Sequence, residues 1–147
     1  MNNRFLYAAL LFAALYFPGA ALTPAESEIP LRKAGSFAMG GVGYAGSMSA
    51  GERALRKILK VPNAVAQLES MIPNATPAGK LYGLLGLRAR DRAAYARALE
   101  MCRATDTKIE TAHGCIIGHE SFRDLVQEID RGGYDALLAR EWPEYKR

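Results

Sequence analysis

Between Ser49 and Cys102 apolar positions recur at helical spacing in four successive segments, and each segment opens on a residue suited to capping a helix. Ser49 and Glu52 have the S-x-x-E spacing of a capping box, in which each side chain bonds the other's backbone amide, and Leu55, Ile58 and Leu59 form the stripe behind it. That helix is expected to reach about Lys60. Val61-Pro62-Asn63 breaks the chain, and Asn63 is the expected cap for a second helix with Val65, Leu68, Met71 and Ile72 on one face. Thr76 caps a third, with Pro77 at the first helical position, where its missing amide costs nothing, and with Leu81, Tyr82, Leu84 and Leu85 as its apolar side. Asp91 caps the fourth, whose inward residues are Tyr95, Leu99 and Cys102.

The period changes after Thr105. Ile109, Thr111, His113, Cys115 and Ile117 alternate with Lys108, Glu110, Ala112 and Gly114, which predicts a strand with one buried side. Phe122, Leu125, Val126 and Ile129 then return to helical spacing, stopped by Gly132-Gly133. A last short helix is expected over Tyr134 to Arg140, with Trp142 and Tyr145 packing or trailing beyond it. A single strand cannot satisfy its own backbone, so the Gly-rich segment Ser36 to Met48 is expected to pair antiparallel with Thr107 to Ile117. The expected fold is therefore α+β, mostly α: short antiparallel helical hairpins packed against a small two-stranded antiparallel sheet. The stretch ATPAGKLYGLLGLRARDRAAYARAL resembles a helical-repeat unit of the HEAT type over about a sixth of the chain; without a second copy at a fixed period, no solenoid is expected.

Asn2, Asn3 and Arg4 precede an apolar run from Phe5 to Phe17 that Pro18 and Gly19 break, the order of a secretory signal peptide. Gly19-Ala20-Ala21 offers small residues for cleavage near Ala21. The competing reading is an uncleaved anchor, but the strictly apolar part, about 13 residues, falls short of the roughly 20 that span a bilayer. The expected organisation is a signal peptide at 1–21, a flexible leader at 22–34 and a single globular domain at 35–147. The product would be periplasmic or secreted, without stable membrane insertion after cleavage, and it is similar in its overall look to small exported bacterial proteins.

Charge narrows the partners. The chain has 19 Lys and Arg against 15 Asp and Glu, with the two signs interspersed, and this mild excess does not point to nucleic acid. Only Arg88, Arg90, Arg92 and Arg97 make a locally basic stretch. It reads as the solvated side of two helices in preference to an anion or membrane-surface patch. In an exported chain the two cysteines, Cys102 and Cys115, are expected to form a disulfide, joining a helix end to a strand. Closing a loop of about 13 residues would contribute roughly 3 kcal/mol.

Several stretches carry letters of known chemistry. Gly41, Gly43 and Gly46 have the G-x-G-x-x-G spacing, but the expected helix starts only after Ser49 and no acidic strand end lies at the required distance, so a dinucleotide loop is not expected. His113 and His119, flanked by Glu110 and Glu120, lack a third fixed metal ligand, and H-E-S-F-R is not H-E-x-x-H because Arg123 stands in the fifth place. Ser47, Ser49 and Ser121 have no nucleophile elbow. Asp124 and Glu128 read as solvated charges one helical turn apart, and Lys80 follows a glycine without the rest of a phosphate loop. No catalytic, cofactor or metal site is expected. The expected function is an exported, non-catalytic protein-interaction module with a protein partner in the cell envelope, using a cleft or an exposed helix face. The alternative is a small exported hydrolase using His113 or His119 with a nearby carboxylate.

Overall fold

The computed structural model describes residues 28–140. The expected signal peptide, Trp142 and Tyr145 lie outside the described residues. In chain order the elements are α1 (Glu28–Arg32), β1 (Ser36–Phe37), α2 (Ala50–Ile58), α3 (Ala64–Met71), α4 (Pro77–Arg90), α5 (Arg92–Cys102), β2 (Lys108–His113), β3 (Ile116–Ser121), α6 (Phe122–Arg131) and α7 (Asp135–Ala139), with a 3₁₀ turn at Ile72–Asn74 after α3.

The helix starts follow local side-chain chemistry. Ser49, Thr76, Asp91 and Ser121 accept hydrogen bonds from backbone amides of the first turns of α2, α4, α5 and α6, satisfying donors that have no partner inside the helix. Two expectations shift in detail. The Ser49 side chain bonds the Glu52 amide, but the Glu52 carboxylate turns elsewhere, so the capping box is only half made. Asn63 makes no cap bond, and its Oδ1 accepts from Gln67 Nε2 instead. Gly132, at φ +85°, ends α6 in the left-handed conformation that glycine adopts without steric cost.

The core is organised around α4. Residues 81–87 are buried on every side of that helix, which touches α1, α2, α3, α5, α6, β1 and β2. Its glycines make this possible: a Cβ at Gly83 would lie 2.6 Å from Ile72 Cδ1, and one at Gly86 would lie 2.7 Å from Leu68 Cδ1. A helix surrounded in this way is a hub, and the architecture is not a stack of HEAT-like hairpins. The resemblance in Ala75 to Leu99 corresponds to the α4–α5 corner, where Asp91 alone joins the two helices. The folded unit also reaches into the expected leader. Leu31 on α1 is fully buried, and the Thr76 hydroxyl donates to the Ala34 carbonyl at 2.7 Å.

The sheet departs from the expected two antiparallel strands. Among the described residues it has three, in the order β1-β2-β3. β1 pairs parallel with β2, Ser36 opposite Glu110 and Phe37 opposite Thr111, while β2 and β3 form an antiparallel hairpin. The long crossover through α2 to α5 brings the chain back in the same direction, as a parallel pair requires. The antiparallel partner is supplied locally: Gly114, at φ +54°, begins a two-residue turn with Cys115. Ile109, Thr111 and His113 share the helix-facing side with their partners Glu120, Gly118 and Ile116. Ile117 pairs with Ala112 on the opposite face, because the turn ends the alternation expected to run through it.

Candidate functional site

The most exposed apolar side chains gather at the hairpin end. Beyond β1, the glycines at 40, 41, 43 and 46 take φ of +92°, +108°, +70° and +59°, bending the chain into a loop that most side chains would strain. The Gly43 amide donates to the Gly114 carbonyl at 2.7 Å, and the Gly114 amide to the Gly41 carbonyl at 3.2 Å. Val42 and Ser47 close the loop on itself with reciprocal bonds of 2.7 and 3.0 Å. The loop thereby fastens to the hairpin turn. Tyr44, on the loop, is completely exposed, and Ile116 and Ile117, just past the turn, are 74% and 69% exposed. Among the described residues only Met101 joins them as a large exposed apolar side chain. Among the described residues β3 is also a sheet edge, and no described strand pairs with its outer backbone groups.

The same loop decides the glycine fingerprint. Val42, Gly43, Gly46 and Ser47 spend their amides on backbone carbonyls, and the Gly40 amide donates to Glu52 Oε2 at 2.9 Å. A dinucleotide loop presents its free amides to a pyrophosphate; here those donors are occupied and a carboxylate stands among them.

A second feature is an acidic cleft of about 310 Å³ beneath the helix-facing side of the hairpin. His113 and Glu120 enter it from the sheet, Asp124 and Glu128 from α6, and Tyr134 from the turn that follows. Glu128 accepts from Arg131 Nη2 at 2.9 Å. Burial pushes the Tyr134 hydroxyl up to about 12, with Glu120 and Glu128 adding to the shift by opposing a phenolate. His119 stands apart, opposite Glu110 on the other face of the sheet. His113 thus shares this cleft with Glu120 and with Asp124 and Glu128, the pair read from the sequence as solvated charges one helical turn apart. Tyr134 was not legible as a cleft residue. Its only sequence signal is the Gly132-Gly133 stop that turns the chain back beneath α6.

Comparison with protein-family models, curated proteins and solved structures gives no match.

The cysteines are not joined, which corrects the expected Cys102–Cys115 disulfide. Cys102 is buried at the end of α5, whereas Cys115 is exposed in the hairpin turn rather than within a strand. A disulfide needs the two Cα atoms within about 7 Å of each other, and here one cysteine sits in the core and the other in solvent, unbonded. Burial raises the Cys102 thiol above its usual range, partly offset by Lys80. Lys80 itself reaches Thr105 Oγ1 at 3.5 Å. Ser49 and Ser121 act as helix caps, and Ser47 lies in the loop bridge to Val42.

Proposed function

We propose that this chain is an exported protein-interaction module whose contact surface is the end of the β2–β3 hairpin and the Gly40 to Met48 loop fastened to it. The observation that carries this reading is the exposure of Tyr44, Ile116 and Ile117 within three residues of the Gly43–Gly114 contact. Each such side chain offers roughly 1.5–3 kcal/mol when a partner covers it. The backbone bonds between loop and turn hold the three in place beforehand, which reduces the ordering cost of association. This reading puts the contact at the hairpin, where the sequence suggested a cleft or an exposed helix face. An envelope protein is the proposed partner, and the edge of β3, unpaired among the described residues, gives it backbone donors and acceptors to add to the apolar contact.

A photoreactive residue placed at Tyr44 or at Ile117, in cells that make the protein, tests this. A discrete adduct from both positions, absent from exposed Ala96 on α5 and lost in Ile116→Ser, is expected. Equal labelling from all three positions, or none from the hairpin, would overturn the reading. Export is tested separately by intact mass: the mature chain should begin near Leu22, and a mass beginning at Met1 would remove that part.

The acidic cleft supports a second reading as a small hydrolase, with His113 as base in a cleft that Glu120, Asp124 and Glu128 also line. Turnover of a simple ester or peptide that is lost in His113→Ala would establish it. Turnover unchanged by that substitution, or none across an ester and peptide panel, would end it.

A further inference from the structure

On the far side of α7 from the acidic cleft lies a larger cleft of about 590 Å³, and three arginines of the basic stretch line it. Arg88 and Arg90 come from the last turn of α4 and Arg92 from the start of α5; Leu59 and Leu138 supply apolar wall. Asp135 is the single carboxylate of the lining, so the three guanidinium groups are only partly balanced. Arg97, the fourth arginine of the stretch, lies outside the cleft and pairs with Glu69 at 2.7 Å.

Arg88 distinguishes this cleft from a solvated basic face. Its side chain is only 9% exposed, and such a group is costly to strip of water unless its donors are filled. Nη1 donates to Asp135 Oδ1 at 2.5 Å, but Nε has no hydrogen-bond partner among the described residues. The protein thus leaves a buried charged donor unfilled in a side chain that lines the cleft. Asp135, 58% exposed, is free to swing into water when another oxyanion takes its place. Arg90 is held in position by its bond from Nη2 to the Leu59 carbonyl, which brings a guanidinium next to an apolar wall residue. A cleft with surplus guanidinium at one side and leucine at the other matches a ligand that has an oxyanion at one end and hydrocarbon at the other.

We propose that this cleft binds an anionic amphiphile, a phosphate or carboxylate group joined to an apolar chain, and that Arg88, Arg90 and Arg92 hold the headgroup while Leu59 and Leu138 line the chain. The site is separate from the hairpin surface and does not depend on it.

Dodecyl phosphate, kept below its micelle-forming concentration, is the probe, and calorimetry and thermal shift are the readouts on the exported chain. Binding is expected, with inorganic phosphate at least tenfold weaker. Arg90→Gln with Arg92→Gln should weaken it at least tenfold. Arg97→Gln, which removes the same type of charge away from the cleft, should leave it unchanged, and circular dichroism checks that each variant is folded. Equal affinity for inorganic phosphate would overturn the apolar half of the site. Equal weakening by Arg97→Gln would overturn the cleft in favour of net charge. Sedimentation with phosphatidylglycerol vesicles but not phosphatidylcholine vesicles, alongside dodecyl phosphate binding, would assign a lipid source; dodecyl phosphate binding without vesicle sedimentation would assign a free amphiphile. Vesicle sedimentation without dodecyl phosphate binding would overturn the proposal.

Discussion

Arg56 donates from Nε and Nη2 to Oε1 of Glu52, one helical turn before it on α2, at 2.9 and 2.8 Å. The Glu52 side chain is completely buried, and its other oxygen accepts from the Gly40 amide. The remaining Arg56 donors reach the carbonyls of Leu137, Leu138 and Arg140. One ion pair on α2 therefore clasps the glycine loop on one side and the end of α7 on the other. This matters to both proposed surfaces, since the loop carries Tyr44 and α7 carries Leu138.

Glu52→Ala leaves Arg56 without its anion and the Gly40 amide without its acceptor. Removing one partner of a buried pair costs about 3–5 kcal/mol. Urea denaturation should show a loss of that size, and a loss below about 1 kcal/mol, the range of exposed pairs, would mean that the clasp carries little of the fold's stability.

Gly51 lies against Tyr82 so closely that an added Cβ would sit 2.4 Å from the ring. The ring cannot easily yield, because its hydroxyl accepts from the Ala38 amide at 2.9 Å and donates to the Ala38 carbonyl at 3.0 Å. In an exposed helix, replacing glycine with alanine gains up to about 1 kcal/mol. Here Gly51→Ala should instead destabilise by about 1–3 kcal/mol through overpacking, read as a lowered melting temperature. A raised melting temperature would show that Tyr82 repacks.

The helices were legible because their signals are local. Thr76-Pro77, Asp91 and Ser121 each fix a helix start within a few residues, and the apolar stripes behind them face the core as their spacing requires. The sheet was less legible. The parallel partner of β2 is only Ser36-Phe37, brought there by a crossover whose path depends on tertiary packing. Adjacent Ile116 and Ile117 resemble core residues in sequence, and the Gly114-Cys115 turn is what moves them into solvent. The clefts were least legible, because each joins residues far apart in the chain, His113 with Tyr134 in one and Leu59 with Arg88 and Leu138 in the other.

Thiol labelling tests the two cysteine environments directly. Exposed Cys115 should react with a disulfide reagent at once, and buried Cys102 only after unfolding, so the native chain should release one equivalent and the denatured chain two. Without reductant, no release from either state would mean that the two are bridged and that the hairpin turn sits against the end of α5.

Two buried tyrosines, Tyr95 and Tyr134, are expected to set the alkaline limit of the fold. Burial pushes Tyr95 and Tyr134 up to about 12, against an ordinary value near 10, with nearby carboxylates opposing the phenolate: Asp130 at Tyr95, and Glu120 and Glu128 at Tyr134. Raised values in the fold mean that the folded state favours the protonated phenol. This contribution is complete below about pH 10 and is lost as pH rises from there toward 12, where the unfolded chain ionises first. Unfolding followed by circular dichroism, with tyrosinate absorbance at 295 nm, should therefore show the two signals rising together in that window. Tyr134→Phe keeps the edge-on contact with Phe37, whose ring centre lies 5.2 Å away, and removes one ionisable group. Its alkaline midpoint should move to higher pH; an unchanged or lower midpoint would show that Tyr134 ionisation does not drive the transition.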